Sequence, residues 1–359
     1  MNKGNAAVRT LSRRRTLACG ALAAALCLSP MAGAAADPIQ DFYTGKTLNI
    51  IVSTGPGNIF DSTARLLAKH MPRFIPGSPS IVARNMTGAG HMRATQFMFT
   101  QAPRDGTYLG IVNNGIPLEQ LVNGPSVRFD VRKFNWIGSA GLSNLLTMAW
   151  HTSGARTIED VKTREVIAGA TGVSSNGFLY ANVMNVLFGT KFKIVSGYGT
   201  SAEADLAMER GEVSARAGFS LSAVQLEHPD WIRDKKVNVL FQTGLKREAS
   251  LPDVPLMHEL AKTDEQREAL MLLSASVGLG RPFFMPPDVP ADRVAAMRKA
   301  FDATMADPEF LKEAELINLD IRYMSGARLG ELVNSIVDAP DAVAEKVRSA
   351  YGREAGAPP

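Results

Sequence analysis

The chain has 359 residues, is 45% hydrophobic and carries a formal charge of +4. Its two cysteines, Cys19 and Cys27, both fall in the first 36 residues, so the remainder has neither a disulfide framework nor thiolate chemistry. The same segment holds Lys3, Arg9, Arg13, Arg14 and Arg15, and without them the charge is −1, which gives no footing for nucleic acid or an anionic membrane.

Residues 1–36 read as a signal peptide. The basic start is followed by the apolar run Leu17 to Leu28, then Pro30 and the small residues Ala32-Gly33-Ala34-Ala35-Ala36. The mature chain is expected to begin near Asp37. Ser12-Arg13-Arg14-Arg15-Thr16-Leu17 fits a twin-arginine signal, and an Arg-rich Sec signal equally well. Neither cysteine sits in a lipobox: Cys19 comes too early, and Leu26 stands where a small residue should precede Cys27. The remaining 323 residues can bury a core and have the length of two domains. No later apolar run approaches the ~18–20 residues of a membrane span.

Thr47 to Ser53 reads as a strand, Gly55-Pro56-Gly57-Asn58 as a turn, and Asp61 to Met71 as a helix ended by Pro72. Ser80 to Arg84 is a second strand, residues 91–100 a helix after Gly88-Ala89-Gly90, and Tyr108 to Asn113 a third strand. This order predicts an α/β layer on a parallel sheet. A second α/β unit follows. Its strands are Leu146 to Trp150, Val166 to Ala170, Phe192 to Ser196, Glu212 to Gly218 and Val237 to Thr243. Its helices are Ser175 to Phe188 and Ala202 to Arg210. Ser274 to Gly280 reads as one more strand, before a break at Pro282, Pro286, Pro287 and Pro290. The tail from Asp292 is helical, with Val294, Met297, Phe301 and Met305 as a core stripe, and the last residues, Gly352 to Pro359, fray.

Three strand-to-helix junctions are suited to anions. Ser53 to Asp61 offers glycines and free N–H groups at a helix start, though it matches neither a dinucleotide fingerprint nor a P-loop. Gly169 to Asn176 and Tyr198 to Glu203 place small hydroxyl residues at helix starts. There they either cap the helix, as Thr200 and Glu203 would in a capping box, or grip a carboxylate. The junctions recur in both halves, at the strand ends where open α/β sheets bind ligands. Nucleophile-elbow and zincin motifs are absent, and the five histidines have no ligand spacing, so no metal or cofactor is expected. Trp136, Trp150 and Trp231 read as packing residues.

The segments "FYTGKTLNIIVSTGPGNIFDSTARLLAKHM", "PSIVARNMTGAGHMRA", "APRDGTYLGIVNNG", "GATGVSSNGFLYANVMN", "YGTSAEADLAMERGEV" and "RPFFMPPDVPADRVAAMRKAFDATMADPEF" resemble the Bug family. These are periplasmic substrate-binding receptors of tripartite tricarboxylate transporters. The resemblance implies a two-lobed α/β fold of the type II periplasmic-binding-protein class. Residues 37–144 and 276–359 would form lobe one and 145–275 lobe two, with hinge strands near 140–147 and 274–281. It also implies a monomeric receptor, not an enzyme, that hands a small di- or tricarboxylate or aromatic acid to membrane permease subunits.

Carried over by position, Thr54, Gly57, Asn58 and Ile59 would face the ligand from lobe one, joined by Asn113 and Asn114. From lobe two, Thr171, Ser174, Ser175, Asn176, Tyr198, Gly199 and Thr200 would grip a carboxylate. Asp205 matches an acidic position that holds loops or water. Asn58-Ile59 interrupts the family's usual glycine run, and with Phe60 would narrow the pocket. Arg216 is either a bidentate carboxylate donor or a structural arginine; Phe219 packs on a ligand or in the core. The rival readings are an exported hydrolase or lyase with a carboxylate pair in the cleft, and a sensor domain for a membrane signalling protein.

Overall fold

The computed structural model describes residues 37–350. The expected signal peptide and the fraying tail lie outside these residues. The chain builds two sheets in turn. The first takes β1 (Thr47–Val52), β2 (Ser80–Asn85), β3 (Tyr108–Ile111) and β4 (Asn135–Ser139). The chain then crosses to the second, with β5 (Leu145–Trp150), β6 (Val166–Ala170), β7 (Phe192–Ser196), β8 (Ala215–Ser220) and β9 (Val237–Thr243). It returns through a helix, Asp264–Val277, to add β10 (Pro282–Met285) and β11 (Met324–Ser325) to the first.

The βα alternation predicts parallel sheets, but neither sheet is all-parallel. In the order β11-β4-β10-β3-β1-β2, only β3, β1 and β2 run parallel; β10 is antiparallel to both neighbours. In the order β7-β6-β8-β5-β9, β5 is antiparallel to β8 and β9. The antiparallel strands flank the passages of the chain between sheets, where a strand enters from the other lobe rather than through a local βαβ turn.

Each sheet is buried beneath amphipathic helices. Leu48, Ile50 and Val52 of β1 are fully buried. Val294, Met297, Phe301 and Met305 form the expected core stripe on the helix Ala291–Met305. Each such side chain contributes roughly 1.5–3 kcal/mol of transfer free energy. Among the described residues no helix is long and apolar enough to cross a membrane.

The segment read as a strand over Ser274 to Gly280 is the end of the helix Asp264–Val277 and the three residues after it. Ala269, Leu270, Leu273 and Val277 are all buried on one face of that helix, and Thr263 caps it by accepting from Gln266 N–H. The extended strand comes later, at Pro282–Met285, inside the supposed proline break.

The two passages between the sheets lie side by side. Ala140 N–H donates to Arg281 O at 3.3 Å, and Arg281 N–H to Gly141 O at 3.0 Å. A Cβ on Gly280 would stand 1.7 Å from Gly141 O, so only glycine permits this approach, at φ +62°.

Candidate functional site

The loops at the carboxyl ends of both sheets face each other across a cleft with two chambers. An inner cavity of about 80 Å³ is lined by Thr54, Asn58, Ile59, Asn113, Asn114, Thr171, Ser175, Asn176 and Arg216 among the expected residues. An outer cavity of about 660 Å³ takes Gly57, Tyr198, Gly199 and Thr200, and shares Thr54, Asn58 and Thr171 with the inner one. Ser174 and Asp205 line neither. Ser174 instead packs its backbone against Gly90, where a Cβ would come within 2.8 Å of Ser174 C.

The lobe-one loop is held from below. Asp61 Oδ2 accepts from Gly57 N–H and from Arg65, while Asn85 Nδ2 donates to Asp61 Oδ1 and to Thr54 O. Desolvation pushes the Asp61 carboxyl up, but the Arg65, Gly57 and Asn85 donors outweigh it and hold it below its ordinary value. Asn58 caps the helix Ile59–His70 by accepting from Phe60 N–H at 3.0 Å. Thr54 Oγ1 is buried with no partner among the described residues, so its hydroxyl is free for a ligand.

In lobe two, Ser175 caps the helix Asn176–Phe188 and Thr200 caps Ser201–Glu209. Capping and a place on the cavity wall therefore meet in one residue. Ser175 Oγ donates to Gly172 O at 2.7 Å and accepts from Phe178 N–H, and it still lines the inner cavity. Arg216 Nη1 is spent on Asp205 and on Ser201 O, while its Nε is buried without a partner. Phe219 lies under the guanidinium, 5.0 Å from its carbon.

The lobes are in contact. Asn176 Nδ2 donates to Asn114 Oδ1 at 3.2 Å, and Ile59 N–H to Glu227 Oε1 at 2.9 Å. A Cβ on Gly55 would stand 2.9 Å from Thr200 Cγ2. Burial first, with Asp205 adding, pushes the Glu227 carboxyl up to about 7; the Ile59 N–H, His228 and Arg216 act against this.

Several wall residues escape the sequence reading. His91 lines both chambers, in a run where Gly88, Ala89, Gly90 and His91 all have positive φ. Its Nδ1 lies 3.3 Å from Ser53 O and 3.2 Å from Ser53 Oγ. Burial pulls this imidazole down to about 4. Ser143 and Ser220, bonded to each other at 3.2 Å, and Arg281 line the inner end. Their signal was topological: they lie at the sheet junctions, not in a motif.

Two of the five histidines without sequence spacing lie beside paired carboxylates in space. His228 joins Asp205 and Glu227, and His70 joins Asp307 and Glu309. In each group an arginine, Arg216 or Arg73, already pairs with a carboxylate.

Two lobes closing on a polar cleft define a periplasmic-binding-protein fold. The structure of the periplasmic binding protein BugD matches with a TM-score of 0.68 at 20% identity, over 87% of this chain and all of that one. MatC from Rhodopseudomonas palustris with bound malate matches at 0.65 and 19%, over 83% and 99%. An R. palustris protein with adipate matches at 0.65 and 17%, over 84% and 97%. In sequence, the UPF0065 protein in gbd 5'region of Cupriavidus necator is 24% identical, over 94% of this chain and 98% of its own length. The model of the tripartite tricarboxylate transporter family receptor matches residues 63–348, and the chain belongs to that family.

Proposed function

We propose that the chain is a periplasmic receptor that closes over a small organic carboxylate and delivers it to the membrane subunits of a tripartite transporter. Residues 37–144 and 276–359 move as one lobe against 145–275. The observation that carries this reading is the inner cavity, where amide and hydroxyl groups from both lobes converge at capped helix starts. Helix N-termini favour a carboxylate over a neutral ligand, and closure removes the water that would compete for it. Malate and adipate in the two R. palustris relatives support an acid of that size.

A thermal-shift screen of residues 37–359 against mono-, di- and tricarboxylates, aromatic acids and amino acids tests it. An acid at 100 times its Kd stabilises the fold by about 2.7 kcal/mol. No shift with any acid ends the carboxylate reading. One observation favours a second reading: Glu227, with its pKa near 7 and its place on the outer chamber, could serve as a general acid or base. Recovery of the bound acid unchanged after prolonged incubation counts against turnover; a new product would install the enzyme.

A further inference from the structure

Arg281 is 5% exposed, lines the inner cavity and sits where the two passages between sheets lie together. Its Nη2 donates to Ala140 O at 3.1 Å and to Asp320 O. Its Nε has no partner, and no carboxylate among the described residues pairs with it. Arg216 has Asp205 and Arg322 has Asp320, whereas Arg281 bonds only neutral carbonyls and feels the Asp320 carboxylate through space. Desolvation pulls its pKa down to about 10, so it remains charged at neutral pH. A buried guanidinium with no directly bonded carboxylate is costly and is normally paired. Gly141 makes room for it: a Cβ there would fall 1.9 Å from Nη2.

We propose that Arg281 is the anchor for the ligand's carboxylate, which meets its guanidinium at the inner end of the cavity and supplies a directly bonded counter-charge. The site then selects an ionised acid over its amide. Arg216, already neutralised by Asp205, shapes the wall and sets no charge preference. Because Arg281 also holds the carbonyls of Ala140 and Asp320, the bound acid engages the segments that join the lobes and not merely a side loop. This assignment rests on the carboxylate-receptor reading.

Titration calorimetry on residues 37–359 tests it, using malate, adipate, benzoate and citrate with the amide of each. The native chain is expected to bind at least one acid 30-fold or more tighter than its amide. Arg281→Met should weaken that acid 100-fold or more and abolish the preference for the acid over its amide. Arg281→Lys keeps the charge but loses the fork, and should fall between them. Native binding of acid and amide with equal affinity overturns the assignment without any variant. So does a folded Arg281→Met, shown by circular dichroism, that binds the acid within threefold of native; the receptor reading survives both. If no acid binds the native chain, the receptor reading fails and takes this assignment with it.

Discussion

Asp205 shows how one residue can matter to a site without lining it. Its Oδ1 accepts from Arg216, its Oδ2 lies 3.1 Å from His228 Nε2, and His228 stacks on Trp231 at 3.8 Å between ring centres. Asp205 and Arg216 are 2% and 5% exposed at the side chain. Removing one member of such a pair strands the other charge, whereas removing both leaves only a packing loss. Asp205→Ala should therefore cost about 3–5 kcal/mol in urea denaturation. Adding Arg216→Met to it should restore most of that loss. If the double variant is no more stable than the single one, the stranded charge is not the cause. The sequence shows Asp205 and Arg216 as separate polar positions, and only the folding of β8 beside the helix Ser201–Glu209 shows that each occupies the other.

At the level of elements, a junction is readable where local chemistry decides it and obscure where topology does. Asn58, Ser175 and Thr200 all stand where capping chemistry places them, one residue before a helix. The strand β9 has the bounds read from the sequence, Val237 to Thr243. By contrast β4, β10 and the helix Asp264–Val277 are fixed by their partners. Pro282 opens a strand because its neighbour is β4 from far upstream, a pairing that no local pattern carries. Arg281 and Ser143 went unread for the same reason, and His91 because its role depends on four successive positive-φ residues. Ser175 tests the double duty of a cap. Ser175→Ala should lower stability by about 1 kcal/mol through the lost cap. It should also weaken the acid found by thermal shift, measured at a temperature where the variant is fully folded. Stability loss with unchanged affinity would make Ser175 a cap alone.

For the whole molecule, closure should exchange protons between two groups of opposite sign. Glu227 bridges to Ile59 across the cleft, and His91 sits in the loop packed on Ser174 and Ser175, so opening the lobes returns both to water. The Glu227 pKa is raised to about 7 with the lobes in contact from an ordinary 4.5, so closing is favoured when it is protonated; that advantage is complete below pH 4.5 and lost as pH rises through 7. The His91 pKa is lowered to about 4 from an ordinary 6.5, so closing is favoured when it is neutral; that advantage is complete above pH 6.5 and lost as pH falls through 4. Between these limits the two oppose each other, one proton being taken up by the carboxyl and one released by the imidazole. Ligand affinity in the native chain should therefore change little between pH 4.5 and 6.5. Single variants should break the balance in opposite directions. Glu227→Gln should bind more weakly on acidification from pH 6.5 to 4.5, and His91→Gln should bind more tightly, each by roughly tenfold per unit at the steepest point. Calorimetry in buffers of different ionisation enthalpy reads the protons directly: near zero for native, release for Glu227→Gln, uptake for His91→Gln. If both variants keep the native profile, neither group is shielded by closure, and the contacts across the cleft do not govern how the receptor takes its ligand.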